Sequence, residues 1–140
     1  WSEPLMVAPP IGLNGTGFPV LTAGGPGQVA LGYLGDSGGD TWNGYLTVIS
    51  DAFSPMPLMT TVQVNAWGDP LDTTADCGFN RCGGFGDFND IIIDQYGRAW
   101  FGLAHNVGGE IGIFGTMTIG PSLRGNGTLT ELPPGGPGTL

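Results

Sequence analysis

Five aspartates crowd the middle of the chain: Asp69, Asp72 and Asp76, followed by Asp87 and Asp90. Carboxylates on glycine-rich loops are the hard oxygen ligands that Ca²⁺ takes, so the cluster is a candidate calcium site. It has no EF-hand spacing, and solvated loop carboxylates or Asx turns account for the same pattern. Between the two groups of aspartates lie the only cysteines, Cys77 and Cys82. Two thiols without a clustered His make a poor zinc site, which wants four ligands. A local disulfide is the better reading, with a loop-entropy contribution of about 2 kcal/mol before strain. Such a bridge implies an oxidising compartment. Asn14 and Asn126 each open an Asn-Gly-Thr glycosylation sequon, in keeping with that compartment.

The single imidazole, His105, could act as an acid–base group, but no Ser–His–Asp spacing accompanies it, and a structural role is the plainer account. Trp42, Trp67, Trp100 and Tyr33 offer faces on which a sugar could stack. A glycine-rich sheet also needs bulky aromatics to fill its volume, which explains them without a ligand. Gly24 to Gly27 reads as a turn rather than a phosphate loop, because neither a Lys nor a helix follows it. Arg98, just after a hairpin turn, is expected to pair with a nearby acid at the surface. Apart from Ca²⁺, nothing in the sequence implies a cofactor.

The elements that must carry these residues are strands. Gly (28) and Pro (12) supply 40 of the 140 residues, yet 40% of the chain is hydrophobic and only 11% charged, the opposite of a disordered composition. No stretch between consecutive Gly or Pro residues is longer than Tyr45–Ser54, Leu58–Trp67 or Asp87–Tyr96. A helix of ordinary length would have to absorb a Gly at about 1 kcal/mol or a Pro at about 3 kcal/mol. Short strands between turns meet no such penalty, and the chain reads as all-β. Three arginines, no lysine and a net charge of -9 exclude a nucleic-acid partner, since nothing could neutralise a run of phosphates. No apolar run approaches the length of a transmembrane segment. Trp1 opens the chain in mid-pattern, and the N-terminus is read as a processed or truncated end.

An internal repeat organises the strands. Phe18, Gly27 and Gly32 match Phe88, Gly97 and Gly102 at a constant offset, each copy reading strand, tight turn, strand. Tyr45–Ser50 then parallels Ile111–Thr116, and Thr60–Asn65 adds an alternating fourth segment to the first copy. Near-continuous apolar strands early in a unit and an alternating last strand predict a gradient from dry to wet across four strands, as in a propeller blade. The expected organisation is an outer strand of a preceding blade and connector over 1–17 and a blade over 18–67. An Asp-rich disulfide loop over 68–87, a second blade over 88–129 and a Pro/Gly-rich tail over 130–140 follow.

Gly86–Phe101, preceded by the Cys-x₄-Cys loop, resembles the blade hairpin of bacterial and archaeal sialidase-like β-propellers, and Trp42–Asp51 resembles the third blade strand running into that family's Asp-box turn. The Asp box runs Ser-x-Asp-x-Gly-x-x-Trp and is structural, its Asp and Ser bonding the turn's own backbone. Ser50 and Asp51 match it in part. Gly35–Trp42 matches its Gly, Thr and Trp, with Ser37 in the Asp place and one strand too early. Catalytic members hold the substrate carboxylate with three arginines and use a Tyr–Glu pair. Arg81, Arg98 and Arg124 form no such motif, and the glutamates are Glu3, Glu110 and Glu131, so the resemblance assigns no catalytic residue. It implies a partial propeller of about two four-stranded blades. The expected function is a non-catalytic extracellular or cell-surface structural and interaction module. Its partners would be the remainder of a longer parent chain or copies of itself, and glycans. The alternative is a fragment of a secreted exo-sialidase-type glycoside hydrolase whose catalytic residues lie mostly elsewhere.

Overall fold

The computed structural model describes residues 3–7, 12–71, 89–105, 111–125 and 127–129. Strands β1 (Gly15–Ala23), β2 (Val29–Asp36), β3 (Trp42–Ile49) and β4 (Met59–Gln63) form an antiparallel meander in chain order. A second meander follows from β5 (Asp90–Ile93), β6 (Ala99–His105) and β7 (Ile111–Thr116), and a small hairpin pairs β8 (Gly120–Pro121) with β9 (Thr128–Leu129). Among the described residues there is no helix, and hence none long and apolar enough to cross a membrane.

The two larger sheets pack face to face. Alternation sends Ala30, Leu34, Leu46 and Val48 from the first sheet, and Ile91, Ala99, Phe101 and Leu103 from the second, into one core. What lets the sheets close is a set of missing side chains. A Cβ on Gly32 would lie 2.4 Å from the Phe101 ring, and one on Gly44 would lie 2.5 Å from Leu103. Each glycine is thus a socket for a large apolar side chain of the opposite sheet. Phe101, Leu34 and Leu46 are fully buried, and burying a side chain of that size contributes about 1.5–3 kcal/mol.

The burial gradient differs from the expected one. β2 and β3 are the most buried strands, while β1 alternates and leaves Phe18 and Leu21 exposed. A strand with neighbours on both sides and a sheet across one face is covered, whereas an edge strand is not. The edge also explains Pro19. It lacks an N–H for the ladder, and the register shifts between Gly17 and Val20, with Phe18 at φ 50°.

The second sheet has three strands among the described residues where four were expected. After β7 the chain turns inward: Thr116 Oγ1 donates to the Ala99 carbonyl at 2.7 Å, and Met117 joins the core. The next residues clamp the two hairpin turns together. Gly25 N–H donates to the Leu123 carbonyl, Leu123 N–H donates to the Gly97 carbonyl, and the buried Gln28 amide donates to the Ser122 and Gly125 carbonyls. A segment tied to turns at both ends cannot also lie along the edge of β7.

Candidate functional site

At the opposite end from that clamp, the β2–β3 turn, the loop after β4 and the end of β6 converge. The turn is built by its own polar side chains. Asp36 Oδ1 accepts from Gly38 N–H at 2.7 Å, and Ser37 Oγ donates to the Thr41 carbonyl at 3.0 Å. Asn43 follows on β3, buried, and faces Asn65 just beyond β4. Asn65 Oδ1 accepts from Gly44 N–H at 2.8 Å, while its Nδ2 donates to Asn43 Oδ1 and to the Asp69 carbonyl, both at 2.8 Å. The Asp69 loop then reaches the second sheet. His105 Nε2 lies 3.3 Å from the Asp69 carbonyl and 3.3 Å from its carboxylate. His105 is only 6% exposed, and Asp69 meets its Nε2 edge.

Two clefts border this network. One of about 440 Å³ is lined by Val64, Asn65, Asp69, His105, Ile113 and Phe114. The other, of about 420 Å³, lies along the first sheet, with Asn43, Tyr45, Gln63, Trp67 and Pro70 in its walls. Burial pushes the Tyr45 phenol up; a hydrogen bond with Asn43 offsets part of that, and neighbouring Tyr33 and Asp36 add to the rise. Tyr33 stacks on Tyr45 at 5.8 Å and its hydroxyl shares a bond with Thr47. Trp42 lies over Gly15 and Gly17 of β1, and Trp100 Nε1 donates to Asp94 at 3.0 Å. Tyr33, Tyr45 and Trp42 are packing groups, and Trp100 is tied to the β5–β6 turn. Trp67 is different: it is 92% exposed beside the second cleft.

Among the described residues no hydroxyl or thiol bonds to His105. Of the aspartates considered as calcium ligands, Asp69 faces His105, and Asp90 accepts from the Ile91 N–H. No three His, Cys, Asp or Glu side chains among the described residues come together in a metal-binding group. Asp72, Asp76, Asp87, Cys77, Cys82 and Asn126 lie outside the described residues. Asn14 is exposed at the entry to edge strand β1.

Arg98 pairs with a nearby acid as expected, its guanidinium 3.9 Å from Asp94 and over the Tyr96 ring, but it is buried rather than at the surface. Asp94 is the residue that sequence reading missed. Its Oδ1 accepts from the Tyr96 and Arg98 N–H groups at 2.8 and 2.9 Å, which shapes the β5–β6 turn. Burial pushes its carboxyl up, but the Trp100 indole, the two backbone N–H groups and the Arg98 charge outweigh it, and the net shift is down. A local signal was present in the turn spacing Asp94-x-x-Gly97, whereas the Asp-box place two residues before Gly97 falls on Gln95. Asp51 does similar work after β3, accepting from Leu58 N–H at 2.8 Å. Asn43 and Asn65 had no such signal, because no local pattern marks two amides that meet across a sheet.

The fold and its polar network define a class: an all-β chain of stacked antiparallel sheets whose described polar side chains chiefly bind its own turns. No family model, no curated protein and no solved structure matches the chain.

Proposed function

We propose that the chain is a non-catalytic extracellular or cell-surface structural and interaction module, part of a larger sialidase-like β-propeller or assembly. The observation that carries this reading is the way the sheets meet. Phe101 and Leu103 of one sheet occupy glycine sockets at Gly32 and Gly44 of the other, a mode of stacking that can be repeated sheet after sheet. The polar groups support a structural role too, because Asn43, Asn65, Asp51 and Asp94 are engaged with backbone or with one another. Trp67, exposed beside the first-sheet cleft with Gln63 and Asn43, is the side chain assigned to glycan contact in such a module.

The test is the mass of the native, non-reduced particle isolated from the producing cells, read by light scattering. The expected result is a particle well above the 14.4 kDa of this chain. A monodisperse 14.4 kDa monomer refutes the reading.

A further inference from the structure

Trp67 sits where the fold gains almost nothing from it. Burying an aromatic side chain removes about 150–250 Å² from water, yet this one is 92% exposed at the cleft along the first sheet. The turn that carries it is fixed. Asp69 N–H donates to the Ala66 carbonyl, Gly68 takes φ 78°, and Gln63 Nε2 donates to the Asn65 and Ala66 carbonyls at 3.1 and 3.3 Å. The indole is thus held out on a set backbone. Those two carbonyls also orient the Gln63 amide: its nitrogen is engaged by them, and among the described residues nothing donates to its oxygen. Gln63 pairs with Tyr45 across β3 and β4, so the two share the outer face of the sheet, and the β2–β3 turn brings the Thr41 hydroxyl to the same cleft.

We propose that this cleft is a binding site for an uncharged saccharide, its ring lying on the Trp67 indole and its hydroxyls meeting Gln63 Oε1 and the Thr41 hydroxyl. Charge selects the ligand class. In a chain with twelve acids, none of the described residues lining the cleft is an Asp, Glu, Lys, Arg or His. The carboxylates beside it are turned elsewhere: Asp36 accepts from Gly38 N–H, and Asp69 faces His105. Burial keeps the Tyr45 phenol protonated, and Asp36 adds to that effect, so the potential at the phenol is negative. An anionic sugar finds no cation there, and a cationic ligand finds no carboxylate in the described walls. An open indole face beside an amide oxygen and a hydroxyl matches a ring with C–H groups on its face and hydroxyls around its edge. The volume of about 420 Å³ lies within the about 300–1,000 Å³ usual for small-ligand clefts.

This ligand class rests on the reading of Trp67 as the glycan contact of a structural module. The test is calorimetric titration of the purified full chain with trisaccharides of glucose, galactose and mannose, each against its uronate counterpart, and of N-acetylglucosamine against cationic glucosamine. The expected result is one-to-one binding of a neutral trisaccharide, weaker binding of its charged counterpart, and a neutral-sugar affinity that salt does not change. Trp67→Ala weakens binding by roughly tenfold or more, the loss of a central aromatic anchor. Thr41→Val, which removes one hydroxyl from an exposed turn, weakens it by roughly two- to tenfold. Phe114→Ser, outside the cleft, leaves it unchanged. Should Trp67→Ala lower the melting temperature, Trp67→Tyr takes its place, retaining part of the affinity. A chain that binds none of the neutral sugars, charged counterparts that bind as well or better, or an affinity indifferent to the Trp67 substitutions overturns the proposal. A native particle above 14.4 kDa whose chain binds none of these sugars leaves the module reading standing and this site refuted; a 14.4 kDa monomer that binds a neutral sugar through Trp67 does the reverse.

Discussion

Replacing Gly32 by Ala places one methyl group at the closest contact between the two sheets. Gly32 has ordinary strand geometry, absent from the left-handed positions, so the backbone itself accepts Ala. In an open strand the change would stabilise by about 0.5–1 kcal/mol through the lost freedom of the unfolded chain. Here the new Cβ would lie 2.4, 2.6 and 2.8 Å from Cδ2, Cε2 and Cγ of Phe101. Cγ is fixed one bond from the Phe101 Cβ, so rotating the ring gives no escape and the sheets must part. Overpacking of this kind costs about 1–3 kcal/mol. The net effect is a destabilisation of up to about 2.5 kcal/mol. At about 2–4 °C per kcal/mol for a chain of this size, thermal unfolding moves down by up to about 10 °C. Gly112→Ala is the matched control, since its Cβ meets nothing among the described residues within 4 Å. Measured at a concentration low enough to keep the chain monomeric, it raises the melting temperature. Adding Phe101→Leu to Gly32→Ala relieves the contact, and the double-mutant cycle gives a coupling of about 1 kcal/mol or more. Ala substitutions of equal sign at positions 32 and 112, or a cycle that closes at zero, would refute knob-in-socket packing.

Gly97→Ala should cost about 2–4 kcal/mol in chemical denaturation. It sets a side chain at φ 84° and drives its Cβ into Ser122 Oγ, loosening the clamp on both hairpin turns. Asn65→Ala leaves Gly44 N–H and Asn43 without their partner and should cost about 2–4 kcal/mol; a loss below about 0.5 kcal/mol would show that water replaces the amide at no cost. The Asp94 carboxyl is held below its usual value, so its contribution to stability is full above about pH 4 and is lost as pH falls through the folded-state value. Asp94→Asn should therefore flatten the acid limb of a melting-temperature profile, and an unchanged limb would assign acid sensitivity to other carboxylates. Cys77 and Cys82 should resist maleimide in the native, non-reduced protein and react after reduction. Labelling before reduction removes the bridge and the main chemical support for an extracellular location.

The strand class was legible because Gly and Pro interrupt every apolar run before a helix could form, a property of local chain chemistry. The turns were legible for the same reason: Gly27 and Gly97 take φ 73° and 84°, which their type permits at low cost. Asp94 was readable in principle, since its partners at 96, 98 and 100 are all local. Long-range packing is another matter. Nothing in the order of residues announces that Gly32 would receive Phe101, that Asn65 would link Gly44, Asn43 and Asp69, or that Arg98 would be buried. The expected gradient of burial failed because coverage depends on which strands lie at an edge, a fact about neighbours. Among the described residues no fourth strand joins β7, because Ser122 to Gly125 find partners at Gly25, Gln28 and Gly97, far along the chain. Composition and turn chemistry determine that this chain is built of short strands. Which faces meet, which polar groups are satisfied and which apolar face is left open depend on contacts between residues tens of positions apart, which only the folded chain brings together.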